Sequence, residues 1–214
     1  MNFLNMPFKK NWYPVSNLKA HFKRKCKIPK NPITKFTDNF AFEIIIEVLS
    51  ELKKEIEWKM VYITSENQTY DQILSEIGID PPNQLGQMKF VFEGEAPDIS
   101  KIPENDVIGV AAILLCCSYN GQEFFRCGYY LNISYDNEEM NMNMPEKIAV
   151  DHLVRNLLAS KPRIVKYEID WEGDNANKGN INEGAGQFMF NEGKINQEKF
   201  KDMENDNSKD NNFK

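Results

Sequence analysis

The stretch "VIGVAAILLCCSY", Val107 to Tyr119, decides how this chain folds. In an extended strand, successive side chains point to opposite faces. Val110, Ala112 and Leu114 therefore share one face, and Ala111, Ile113 and Leu115 share the other. Neither face carries the polar residues of a solvent side. One belongs to a core. The other is either covered by a helix or loop of the same chain or kept for a partner, since large apolar patches mark interaction sites.

The strand ends at "YNGQ", where Asn120-Gly121 is the strongest two-residue hairpin signal, and returns as "EFFRCGYYLNISY", Glu123 to Tyr135. Arg126, Gly128 and Tyr130 share one face of that return, and Phe125, Cys127 and Tyr129 the other. Arg and Tyr are enriched at binding hot spots. Further out, "FAFEIIIEVLS" from Phe40 and "EIEWKMVYIT" from Glu55 alternate with period two, and "MKFVFEGE" follows the turn-rich "DPPNQLGQ". In "DHLVRNLLAS" the spacing of Leu153, Val154, Leu157 and Leu158 predicts a helix ended by Pro162, and "RIVKYEIDW" predicts a last strand. Short strands, hairpin turns and one helix predict an all-β fold. The expected form is an immunoglobulin-like antiparallel β-sandwich with one short helix near the C-terminal end of the domain.

Charge divides the chain into three. Of the total of -6, residues 1–30 contribute +8 with no acid, and residues 172–214 contribute -3, leaving -11 for residues 31–171. The first segment reads as a basic, flexible extension without strand pattern. The last, polar apart from "FMF" at Phe188–Phe190, reads as disordered. The middle is the folded domain. Its acidity repels nucleic acid and attracts basic partners, so no direct nucleic-acid binding is expected.

Catalytic chemistry finds no support. The histidines are His21 and His152 alone, no Ser or Cys stands in an elbow motif, and no HExxH, CxxC or EF-hand pattern suggests a metal. Cys26, Cys116, Cys117 and Cys127 read as free thiols of a reducing compartment. No cofactor, enzyme activity, signal peptide or membrane span is expected. The cluster "KRKCK" is compatible with a nuclear address.

These residues resemble a known family. "FAFEI", "ELKKEIEWKMVYI", "YDQIL", "FVFEGEAPD", "IPENDVIGVAAILLCCSYNGQEFFRCGYYLN" and "VRNLLASKPRIVKYEIDW" are similar, in order and spacing, to the anti-silencing-function histone chaperones. "NPITKFTDNF" is similar to the family's N-terminal strand and turn, so the likeness spans about residues 27–171. The resemblance implies a nuclear chromatin protein of nucleosome assembly and disassembly that binds the histone H3–H4 dimer. It would mask the H3 face through which two dimers join, and also the C-terminal tail of H4. It places the H3 patch on Ile63, Val110, Ala112, Leu114 and Tyr130, with Asp71, Asp106 and Arg126 as charged contacts. Leu158, Pro162, Arg163, Ile164 and Val165 would receive the H4 tail by strand addition. A second surface for other chaperones would use Ile46, Glu55, Glu57, Ile77, Ile79, Pro81 and Phe90.

Two departures stand out. The family usually has a larger β-branched residue at Ala112, a loss of about 1 kcal/mol of apolar burial. Lys54 stands where the resemblance implies an acid beside Glu55. The alternative reading is an immunoglobulin-like adaptor that binds basic peptides at the Arg163–Val165 edge without histone preference.

Overall fold

The structure is a computed structural model. It describes residues 33–64, 68–80, 85–159 and 162–171, together with the backbone of strands Tyr13–Val15 (β1) and Leu18–Arg24 (β2). Nine further strands follow: Ile33–Lys35 (β3), Phe40–Val48 (β4), Ile56–Ile63 (β5), Gln72–Ile79 (β6), Gly86–Gly94 (β7), Gly109–Tyr119 (β8), Gln122–Tyr135 (β9), Leu153–Leu157 (β10) and Arg163–Lys166 (β11). A four-stranded sheet, β1-β2-β4-β7, packs on a larger one ordered β3-β10-β9-β8-β5-β6, with β11 beside β9. All pairings are antiparallel, and the only α-helix among the described residues is Glu138–Met142 (α1). The expected all-β sandwich with one short helix is the observed architecture.

Period-two alternation builds the core. Phe42, Ile44 and Ile46 of β4 and Phe92 of β7 meet Trp58, Met60 and Tyr62 of β5, and Ala111, Ile113 and Leu115 of β8. Phe42 stacks on Tyr129 at 5.5 Å between ring centroids, and Trp58 meets Phe90 edge-on at 5.8 Å. The β8–β9 hairpin turns where the sequence placed it. Asn120 (φ 51°) and Gly121 (φ 71°) both take the left-handed conformation that a two-residue turn of this twist requires.

Three features differ from expectation. Residues 153–157 form strand β10, not a helix; the helix lies earlier, at α1, where Asn137 caps its first turn. A spacing of four satisfies both periods, and Leu153, Arg155 and Leu157 are buried in strict alternation with the half-buried Val154 and Asn156. Arg155 makes that strand possible. It donates to Thr34 Oγ1 (3.1 Å) and to the carbonyls of Phe36 (3.2 Å), Asp38 and Asn39 (3.1 Å), with its guanidinium 3.7 Å from the Phe40 ring centroid.

Second, the N-terminal segment, expected without strand pattern, contributes β1 and β2. "LKAHFKR" alternates Leu18, Ala20 and Phe22 with Lys19, His21 and Lys23, and its register with β4 sets Lys19 opposite Glu47 and Lys23 opposite Glu43. Third, Ile46 was assigned to a surface groove but is fully buried in the core, because it lies on the inward face of β4. Pro81, Cys26 and the tail from residue 172 lie outside the described residues. No described helix is long and apolar enough to cross a membrane.

Candidate functional site

The larger sheet has a core face and an outer face, and the outer face carries a second apolar cluster. Val61 and Ile63 come from β5, Ala112, Leu114 and Cys116 from β8, and Tyr130 from β9; Leu158 follows β10. Val110 and Val165 pack at its margin, half-buried. Register explains the grouping. Ile63, Ala112 and Tyr130 form one row across three strands, and Val61, Leu114, Gly128 and Arg163 form the next. The Leu158 N–H donates to the Tyr130 carbonyl at 2.9 Å, so the residue that begins the proposed tail site touches the proposed H3 patch. The structure thus brings Leu158 and Val165 of the tail set onto the same surface as the H3 patch, while Ile164 packs on the main core.

That surface is not open as expected. Ile63, Ala112 and Leu114 have 0 % exposure, and Tyr130 has 6 %. A covered apolar side chain of this size contributes about 1.5–3 kcal/mol, so this face is as strongly driven to stay covered as a core. Val61 and Cys116 belong to the cluster and were not singled out from the sequence. The signal was present, since each continues the alternation of a residue that was.

Charged groups stand around the cluster. Arg126 lies beside Cys116 in the register and is itself buried, held by both Glu123 oxygens (2.5 and 3.0 Å), with the Tyr167 ring 5.8 Å away. Its charge is therefore already compensated within the chain. Lys59 and Glu76 form an exposed bridge at 2.6 Å on the same face, which contributes little in water. Asp71 stands half-buried just before β6, and its Oδ1 is buried without a hydrogen-bond partner among the described residues. Burial raises its pKa to about 6. A carboxylate deprived of water in this way favours an incoming cation. Asp106, also half-buried, ends a short 3-10 turn just before β8.

β11 pairs with β9 through Arg163–Gly128, Ile164–Cys127, Val165–Arg126 and Lys166–Phe125. Among the described strands β11 pairs with β9 alone, and strand addition takes place at sheet edges of this kind. Pro162 sits half-buried between Leu158 and this edge.

The second predicted surface is only partly assembled. Ile77, Ile79 and Phe90 are half-buried along the seam between β6 and β7, packed against the core. Glu57 and Glu55 are exposed, but Glu57 alternates with Trp58 and so points away from that seam. Chemistry beyond binding has no foothold. Burial pushes the Cys116 and Cys127 thiols up to about 12 and Cys117 well above the usual range, so none is a ready nucleophile. Among the described residues no group of His, Cys, Asp and Glu is arranged to hold a metal.

Comparison with known proteins agrees with this geometry. The family model "ASF1 like histone chaperone" matches residues 24–172. The chain is 46% identical over 156 residues to "Histone chaperone ASF1" of Saccharomyces cerevisiae, covering 72% of this chain and 54% of that protein. The Candida glabrata protein of the same name is 45% identical over 150 residues, 70% of this chain and 48% of that one. "Probable histone chaperone ASF1A" of Arabidopsis thaliana is 47% identical over 137 residues, 64% of this chain and 69% of that one. The chain thus spans about half the length of the two fungal relatives.

Proposed function

The chain belongs to the ASF1-like histone chaperone family, and from that premise we propose that it is a non-enzymatic nuclear chaperone for the histone H3–H4 dimer. In this reading the outer face of β5, β8 and β9 takes the H3 surface through which two dimers join. Strand β11 takes the H4 tail as an added strand. Occupying both keeps a dimer apart from its twin until nucleosome assembly. The seam of Ile77, Ile79 and Phe90 is where a second chaperone docks.

One observation carries the reading. The apolar residues assigned to H3 fall into a single cluster on one face together with Leu158 and Val165 of the H4 set, while Ile164 packs on the main core; Asp71 and Asp106 stand just before β6 and β8. Apolar burial supplies residence time, and the acidic body speeds encounter with a basic partner. Binding requires whatever covers Ala112 and Leu114 to leave, because both are closed in this conformation.

The test replaces Val110, which is half-buried at the margin and leaves room for a long side chain to reach water. Val110→Arg weakens binding of purified H3–H4 dimer at least tenfold while the melting temperature stays within a few degrees. Undiminished affinity removes β8 from the mechanism. A basic protein of similar charge is titrated alongside at rising salt. Equal affinities that vanish together identify a generic binder of basic segments.

A further inference from the structure

A buried oxygen on the outer face has no role in the reading above. Asn132 alternates along β9 with Leu131 and Ile133, which lie in the main core, so it shares a face with Tyr130 of the outer cluster. Register continues that face from strand to strand. Val110 of β8, Asn132 of β9 and Asn156 of β10 form one row, next to the row of Ala112 and Tyr130. Asn132 is half-buried as a residue, yet its Oδ1 is shielded from solvent and has no hydrogen-bond partner among the described residues. Asn156, its register neighbour, does not supply one.

A buried acceptor without a donor costs free energy, and native proteins keep few of them. In a chaperone that works by having its outer face covered, the missing donor arrives with the partner. The page says what kind of donor it is. An amide oxygen only accepts, and it gains most from an N–H that carries charge. Residues 31–171 carry -11, a field that favours a cation over a neutral or acidic group. Val110 beside it is apolar and half-buried at the cluster's margin. That pairing suits a long basic side chain, whose methylene stem covers apolar surface while its head group finds a polar partner. Neighbouring strands stand about 4.8 Å apart, so a stem laid over Val110 brings its ammonium or guanidinium to Asn132.

We propose that Asn132 is a specificity-determining residue of this face: its Oδ1 accepts a hydrogen bond from a Lys or Arg of the bound histone dimer, whose stem rests on Val110. The proposal rests on the histone reading of the face. It adds a polar choice to an otherwise apolar contact. An oxygen unsatisfied in the free chaperone and satisfied in the complex favours the loaded state, and a partner that presents an acid or an apolar group there gains nothing from it.

Two variants of the full-length chain test this. Asn132→Leu keeps the bulk and removes the oxygen, whereas Asn132→Asp keeps an oxygen and adds a charge. Purified H3–H4 dimer binds Asn132→Leu about tenfold more weakly, the scale of one hydrogen bond to a charged group, while the melting temperature holds or rises because an unsatisfied group is gone. Asn132→Asp binds at least as tightly as the parent at low salt and loses any advantage as salt rises. Undiminished binding by Asn132→Leu, with Val110→Arg still disruptive, overturns the proposal and leaves the histone reading standing. Undiminished binding by both refutes the histone reading and the proposal with it. A melting temperature lowered by more than about 5 °C in Asn132→Leu overturns the proposal too, because the oxygen then serves the fold. Asn132→Asp weakened as much as Asn132→Leu shows that the donor is not a cation and overturns the assignment.

Discussion

Arg155 offers the sharpest test of how the site is held. Replacing it by Met keeps an apolar stem in the same space and removes every donor. Three carbonyls then lose their partner. Those of Asp38 and Asn39 belong to exposed residues and recruit water at little cost. The Phe36 carbonyl is different, since Phe36 is 1 % exposed and this bond is buried. Leaving it unsatisfied costs about 1–3 kcal/mol. Loss of the guanidinium over Phe40 at 3.7 Å costs about 1–2 kcal/mol more in a desolvated setting. The expected total is about 3–4 kcal/mol, or roughly 10 °C in melting temperature for a chain of this size. Urea unfolding gives the free energy, and a thermal scan gives the midpoint. Variant molecules still folded at 20 °C should keep their histone affinity within about twofold, because Arg155 does not reach the outer cluster. A loss below about 1 kcal/mol would refute this account of the β3–β10 junction. A large fall in affinity without a fall in stability would show that Arg155 belongs to the interface.

Two further outcomes are expected. If a histone cation sits against Asp71, binding favours the ionised carboxylate, whose pKa of about 6 in the free protein falls on binding. Association then releases a proton, so affinity decreases as the pH drops from 7 to 5. The decrease is about tenfold at most and about threefold once half-exposure is allowed for. Fluorescence anisotropy at pH 7, 6 and 5 measures it, and an equal slope in Asp71→Asn would exclude Asp71 as the cause. Leu114 and Leu115 are both fully buried, on the outer and core faces respectively. Leu115→Ala should cost about 3–4 kcal/mol and Leu114→Ala less than about 2, because a detachable cover collapses onto the gap more readily than a rigid core. Equal losses in urea unfolding would mean that the outer face is an ordinary second core.

Much of the site was legible because the signals were local. Asn120-Gly121 fixes the hairpin turn and the first pairs, Tyr119 with Gln122 and Ser118 with Glu123, but a bulge beyond Ser118 shifts the register by one, and only that shift sets Ala112 opposite Tyr130 and Cys116 opposite Arg126. Residues 153–157 were less legible, because two leucines four apart fit a helix and a strand equally. The choice falls to Arg155, whose partners lie more than a hundred residues away in the chain. Ile46 was misplaced for a similar reason. Its face of β4 is plain from alternation, but which face meets the other sheet is settled only by packing.

The sequence by itself determined the strands around Asn120-Gly121, the sharing of one face of β8 by Val110, Ala112 and Leu114, and the lack of any residue set suited to catalysis. Those properties depend on neighbours along the chain and on a repeat of two. That Tyr130 of β9 joins that face was set by the bulge after Cys117. Only the tertiary structure decided that Leu158 and Val165 join that face, and that the face is closed. Burial is a property of what lies above a side chain, and the atoms above it come from parts of the chain that no local period can reach.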